Sequence, residues 1–262
     1  MKKALSVLLI SVLMMGVLAA CGTSTEKDSA SKEEAKKVLT MGTSADYPPF
    51  EYVETATSDE IIGFDIDLAN LIAGELGYEV EVKDMDFNGL IGAIQADRVD
   101  FVMAGMTPTD ERKQNVDFSD VYYTAKHMIV SAKDSNIKAV EDLEGKTVGV
   151  QLSSIQEGKA EEIGETVKIK VEKRTRIPEL VQEIKAGRID AAIIEDTVAA
   201  GYFKNNPDLA GFTLEDGGEE AGSAIAFPKG SKLTEEFNKV LKEKMENGEV
   251  EKLVIKWFGG EK

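Results

Sequence analysis

The sequence predicts the α/β class, on three observations. From Val38 onward, short strand-like runs alternate with amphipathic helical runs, the pattern of a parallel sheet covered by helices. The helical runs stop at Gly77, Gly187 and Gly248, and glycine readily takes the left-handed conformation that ends a helix. After Lys37 about 225 residues remain, which suits one large domain or two lobes of ordinary size.

Taken in order, the chain opens on a leader. Met1-Lys2-Lys3 is basic, and Ala4 to Val17 is apolar, uncharged and too short for a comfortable membrane span. Residues 1–20 therefore read as a secretory signal peptide. Its end, Leu18-Ala19-Ala20-Cys21-Gly22, resembles the lipobox of bacterial lipoproteins, in which the Cys is acylated, palmitate included, and becomes the mature N-terminus. The sequence has 1 cysteine, so an internal disulfide is excluded and lipid on Cys21 gives the thiol a use. Residues 21–37 hold Ser, Thr, Ala, Lys, Glu and Asp without apolar periodicity and read as a disordered tether. The net charge of −17 argues against nucleic acid and anionic lipid surfaces, and it is compatible with a cationic ligand.

Val38 to Thr43 reads as a strand. Ser44 to Tyr52 follows as a loop stiffened by Pro48 and Pro49, with Tyr47 expected to face a ligand and Phe50 to pack beneath the loop. Leu68, Leu71, Ile72 and Leu76 form a helical stripe, Tyr78 to Val82 alternates as a strand, and Phe87 to Gln95 opens another helix. The strand-like run Val99 to Ala104 then meets Gly105-Met106-Thr107-Pro108-Thr109-Asp110-Glu111-Arg112. Gly105 and Pro108 start a turn. Thr109 reads as an N-cap, with Asp110 and Glu111 in the first helical turn. Such a segment offers backbone N–H groups, the Thr107 hydroxyl and a guanidinium. These suit a carboxylate, which Arg grips with two parallel hydrogen bonds. By spacing alone, a surface Arg in an ordinary strand-to-helix loop fits equally well. Ligands of parallel sheets bind outside the carboxyl ends of the strands, and Ser44 and Thr107 both lie just past such ends.

Tyr122 to Val130 is strand-like and carries His127, the 1 histidine, which reads as structural. Leu143 to Gln151 is a turn and a buried strand running into a helix that Ser153 or Ser154 can cap, and the free N–H groups there form a second carboxylate-compatible spot. Ile177 to Ala186 is an amphipathic helix, and Arg188 to Ile194 a short buried strand. At its end Glu195 suits an ammonium group, with Asp196 open either to that role or to capping the next helix. Two amphipathic helices close the chain, and Trp257 lies on the packing stripe of the second. One His and one Cys exclude the usual catalytic triads and His-rich metal sites, and leave carboxylate acid–base chemistry open.

Five runs in fixed order carry a resemblance. They are Gly42-Thr43-Ser44-Ala45-Asp46-Tyr47-Pro48-Pro49-Phe50-Glu51; Gly63-Phe64-Asp65-Ile66-Asp67-Leu68-Ala69; Asp86-Phe87-Asn88-Gly89-Leu90-Ile91; Gly105 to Arg112; and Val116-Asp117-Phe118-Ser119-Asp120-Val121-Tyr122-Tyr123. From Val38 to its end the chain resembles the polar amino-acid-binding family of ABC-transporter substrate-binding proteins, and within it the arginine-binding lipoproteins of Gram-positive bacteria. The resemblance implies a periplasmic-binding-protein-like fold of two α/β lobes joined by a two-strand hinge. Lobe 1 would be residues 38–122 and 224–262, lobe 2 residues 126–219, and the hinges about 122–126 and 219–224.

It also implies roles. Arg112 holds a ligand α-carboxylate, beside Ala104, Gly105, Met106 and Thr107. Tyr47 and Phe87 flank the ligand side chain. Ser154, Ile155 and Gln156 face it from lobe 2, and Glu195, in preference to Asp196, takes the α-ammonium. Ser44 stands where several relatives carry a carboxylate, so their side-chain recognition is not copied directly. Asp46 and Glu51 are acids near the Tyr47 loop, with Asp46 counted among the ligand-binding residues. The implied protein is a monomer without cofactor or metal. It is lipid-anchored at the outer face of the cytoplasmic membrane and delivers L-arginine or another basic amino acid to an ABC permease and its ATPase. The competing readings are a neutral polar ligand such as glutamine, or a dehydratase-like enzyme on the same fold.

Overall fold

The structure is a computed structural model, in which residues 37–54, 58–214 and 221–259 are described. The signal peptide, Cys21, the tether up to residue 36, and Glu219 and Glu220 of the second crossing lie outside them.

Two five-stranded sheets carry the fold. In the first, the order is Tyr78–Asp84, Lys37–Thr43, Phe101–Val102, Ala226–Pro228, Val116–Phe118. The first three strands run parallel, with Met41 opposite both Val82 and Phe101. Ala226–Pro228 runs antiparallel to both of its neighbours. The second sheet has the order Lys170–Arg174, Thr147–Gln151, Ala191–Glu195, His127–Ala132, Leu209–Thr213. It too is parallel on one side, and antiparallel where His127–Ala132 enters. Both sheets are thus mixed where the alternation predicts parallel. The reason is connectivity: the strands that break the pattern are those arriving directly from the other lobe.

Each sheet is covered on both faces, as the apolar strands require. Phe64, Leu68 and Ile72 of helix Phe64–Glu75 join Phe237 and Leu241 of helix Lys232–Glu246 in one buried cluster. Leu90 and Ile94 pack with Val102 and Val116 in another. In strand Ala191–Glu195, Ala191 and Ile193 face helix Ile155–Thr166, whereas Ala192 and Ile194 face helix Ile177–Lys185. The crossings Tyr123–Ala125 and Ala221–Ser223 pair antiparallel as a two-stranded ribbon between the lobes.

Three local expectations are revised. Ser44 to Tyr52 is not all loop: Asp46–Tyr47, Glu51–Val53 and Ile61–Ile62 form a small three-stranded sheet. Phe87 to Gln95 starts as a 3-10 turn, Phe87–Gly89, before helix Leu90–Gln95. Neither Ser153 nor Ser154 caps the following helix by its side chain. The Ser154 hydroxyl donates to Gln151 O at 2.7 Å, and Glu157 reaches back to Ser153 N at 2.7 Å.

The aromatic loop is tied to its own lobe through a helix start. Phe64 N donates to Pro49 O at 3.0 Å and Asp65 N to Phe50 O at 2.9 Å, so two otherwise orphaned helix-terminal donors hold the loop. Gly63 makes this approach possible. Its φ is +141°, and a Cβ there would stand 2.1 Å from Phe50 O.

Candidate functional site

The lobes meet over a small cavity, lined largely from strand ends and helix starts. Arg112 sits in the one-turn helix Asp110–Lys113, whose N-cap Thr109 accepts from Arg112 N at 3.2 Å. The turn is only four residues long, and its work is to aim one side chain. The guanidinium is buried, lies 5.2 Å from the Phe87 ring centroid, and donates to Thr107 O at 2.9 Å. Its other nitrogen crosses the cleft to Ser153 O at 2.8 Å. Burial pulls its pKa down to about 10, with Glu111 and Glu195 opposing the shift. A buried cation with two carbonyl partners and no paired carboxylate is poised for an anion.

Gly105 makes the adjoining surface. It has φ +55°, and a Cβ there would come within 2.9 Å of the Tyr47 ring. Its N–H donates to Asp65 Oδ2 at 3.0 Å, an acceptor shared with the Tyr122 hydroxyl at 2.9 Å. Tyr47 lines the cavity, while Phe50 is fully buried beneath it, the two rings stacked at 5.7 Å.

The opposite side is acidic. Glu195 ends its strand fully inside, and burial raises its pKa to about 8 against the pull of hydrogen bonding by Tyr47 and Gln156. Asp196, by contrast, accepts from Lys126 N at 3.1 Å and Thr197 N at 2.8 Å, at the start of helix Asp196–Asn205. Glu51 has no exposed surface, and neither of its oxygens accepts a hydrogen bond from a donor. Burial, and then the neighbouring Asp65 carboxyl, push its pKa well up. Asp65 itself is raised to about 6 by burial, with Gly105 N and Tyr122 opposing.

Of the residues singled out from the sequence, Ser44, Asp46, Tyr47, Phe87, Ala104, Gly105, Thr107 and Arg112 line the cavity from lobe 1. Ser154, Ile155, Gln156 and Glu195 line it from lobe 2. Met106 is not brought there: it is buried in the core cluster with Phe87, Leu90 and Val102. Asp46 lines the cavity, but its carboxylate is already engaged. Its Oδ1 accepts from the Ser44 hydroxyl at 3.1 Å and its Oδ2 from Ile177 N at 2.9 Å, across the lobes. Burial raises its pKa to about 6.

Two lining residues were not among those expected, Glu51 and Gln151. Gln151 ends strand Thr147–Gln151, so the strand-end rule that points to Ser44 points to it as well. His127 lies behind the cavity, its Nδ1 at 3.4 Å from Gln156 Nε2. Trp257 donates to Asp67 Oδ2 at 2.7 Å, away from the cavity.

The cleft is shut. Tyr202 donates to Asp46 O at 2.8 Å, and the Arg176 fork spans to Asp84 Oδ1 at 2.8 Å and Asp86 Oδ1 at 2.7 Å. A charged pole at each end and aromatic rings between them suit one small zwitterion.

Residues 39–260 match the sequence pattern of the bacterial extracellular solute-binding proteins, family 3. The chain belongs to that family. Over 263 residues, covering 100% of both chains, it is 59% identical to the arginine-binding extracellular protein ArtP of Bacillus subtilis (strain 168). Its fold is similar to that of an ancestral arginine-binding protein bound to arginine, with TM-score 0.78, 42% identity and coverage of 86% of this chain and 99% of that one. It is also similar to an ancestral arginine-binding protein bound to glutamine, with TM-score 0.79, 43% identity and the same coverage of 86% and 99%. The two lobes joined by paired crossings are the periplasmic-binding-protein fold of this family of extracellular proteins.

Proposed function

We propose that this solute-binding protein captures a basic L-amino acid, arginine first, and presents it to an amino-acid ABC permease and its ATPase. The observation that carries the cationic ligand is the charge count of the closed cleft. Among the described lining residues Arg112 is the one cation, against the three acids Asp46, Glu51 and Glu195, with Asp65 beside Glu51. A neutral zwitterion leaves that excess of acid unchanged, whereas arginine brings one more positive charge. Arg112 takes the α-carboxylate, helped by Thr107 and the turn at Gly105. Glu195 takes the α-ammonium, and the Tyr47 and Phe87 rings flank the side chain. Glu51, backed by Asp65, faces the second cation. The similarity to the B. subtilis arginine-binding protein supports the same ligand.

Only a ligand with both an anionic and a cationic end bridges Arg112 and Glu195, so binding favours hinge closure. In this reading residues 38–122 and 224–262 form one moving lobe and 126–219 the other. The mature protein is a monomer held at the outer face of the cytoplasmic membrane by lipid on Cys21. Its carboxyls serve as counter-ions and not as catalysts. Glutamine is the second reading, favoured by the ligand of the similar ancestral protein.

The test is the shift in melting temperature with each of twenty amino acids, after unfolding and refolding to strip carried-over ligand. Stabilisation grows with ligand concentration over Kd, about 2.7 kcal/mol at a hundredfold excess. We expect the largest shift with arginine, a smaller one with lysine and none with glutamate. A best shift with glutamine replaces arginine by the second reading, and no shift with any amino acid overturns the proposal.

A further inference from the structure

The closed cleft contains a buried carboxyl that no N–H or hydroxyl of the fold meets. Glu51 is fully buried and lines the cavity, and neither oxygen has a donor. Its direct neighbour is another carboxyl, Asp65, whose Oδ1 is also without a donor. Around the pair stand Asp46 on the same small sheet and Glu195 at the end of a lobe 2 strand. Tyr47 and Tyr122 face it as well, and Asp196 and the Gln156–His127 pair lie behind Glu195. Arg112 is held by Thr107 O and Ser153 O and makes no ion pair with Glu51. Two adjacent carboxylates buried without a cation repel and lose their hydration, so one must hold a proton or meet a cation.

Resting on the amino-acid-binding reading, we propose that the closed cleft holds, at the Glu51–Asp65 pair, either the second cation of a dibasic amino acid or a proton. Ambient pH then sets how sharply the protein tells cationic from neutral amino acids. At high pH a neutral ligand must draw a proton from solvent for the lobes to close, and arginine need not. As pH falls that proton becomes freely supplied and neutral ligands gain on arginine. The carboxyls of Asp46, Glu51, Asp65 and Glu195 agree in sign: burial in the shut cleft raises each above its ordinary range, so the shut cleft holds protons more tightly than freely solvated carboxyls do.

Arginine and citrulline test this, since they share a shape and differ by the guanidinium charge. Isothermal titration calorimetry in two buffers of different ionisation enthalpy counts the protons exchanged. The citrulline complex should retain about one proton more than the arginine complex, and the affinity ratio of arginine to citrulline should fall by up to about tenfold per unit of acidification between pH 8 and pH 6. Glu51→Gln should abolish both differences. Small-angle X-ray scattering of the ligand-free protein provides a second readout that needs no variant. Its radius of gyration should shrink toward that of the arginine complex between pH 8 and pH 5.5. Equal proton counts for the two ligands, or a pH-independent affinity ratio, overturn the proposal and leave amino-acid binding intact. If no amino acid binds, the earlier reading fails, and the scattering alone decides: a ligand-free shape indifferent to pH overturns the proposal.

Discussion

At the scale of single residues, the proposed site rests on Arg112 and Glu195. Lysine at position 112 would keep the charge and lose the planar fork that meets a carboxylate with two bonds. Arg112→Lys should therefore weaken arginine binding roughly 100-fold, about 2.7 kcal/mol. Glu195→Gln should weaken it less, by roughly tenfold, because the amide still accepts a hydrogen bond. Calorimetric Kd values check both, and a change under threefold for Arg112→Lys would remove it from the carboxylate role. Arg112 was legible because its signals are local: a glycine, a proline and a capping threonine lie within eight residues of sequence. Met106 was not, because which side of the turn faces the core depends on the sheet below. The engagement of Asp46 was not legible either, because its partner Ile177 N lies 131 residues away in sequence. No local pattern announces a carboxylate that one lobe lends to the helix start of the other.

Elements are held in place by backbone that only certain residues permit. The Tyr47 loop hangs on the N-terminal donors of helix Phe64–Glu75, and that contact needs Gly63 bare. Gly63→Ala combines a forbidden φ with a clash on a carbonyl, and should cost about 2–4 kcal/mol. For a chain of this size that lowers Tm by roughly 10 °C, measurable by calorimetry with and without ligand. A loss under 2 °C would show that the loop yields easily. Helices and strands were legible from period and glycine stops, because those are properties of neighbouring residues. The three short strands around Asp46, Glu51 and Ile61 were not. Two of them are two residues long, too short for any alternation to register.

For the whole molecule the relevant quantity is how long the shut form lasts. Arg176 bonds Asp84 and Asp86 across the cleft with partly exposed groups, so each pair contributes little, and together they are worth about 1 kcal/mol. Arg176→Ala should raise the rate of arginine release about fivefold and leave the association rate nearly unchanged. Stopped-flow fluorescence measures both, and an unaltered release rate would show that the fork is ornamental to closure. The alternation of strands and helices indicated α/β layers. It did not indicate which strands belong to which sheet, since pairings over long separations leave no local trace.

The placement of Ala226–Pro228 between Phe101–Val102 and Val116–Phe118 has a consequence in time. A chain that emerges N-terminus first has every strand of the second sheet by Thr213, while the first sheet still lacks the strand that joins Phe101–Val102 to Val116–Phe118. The lobe begun first is thus finished last, and the Arg112 side of the cleft assembles around a partner already made.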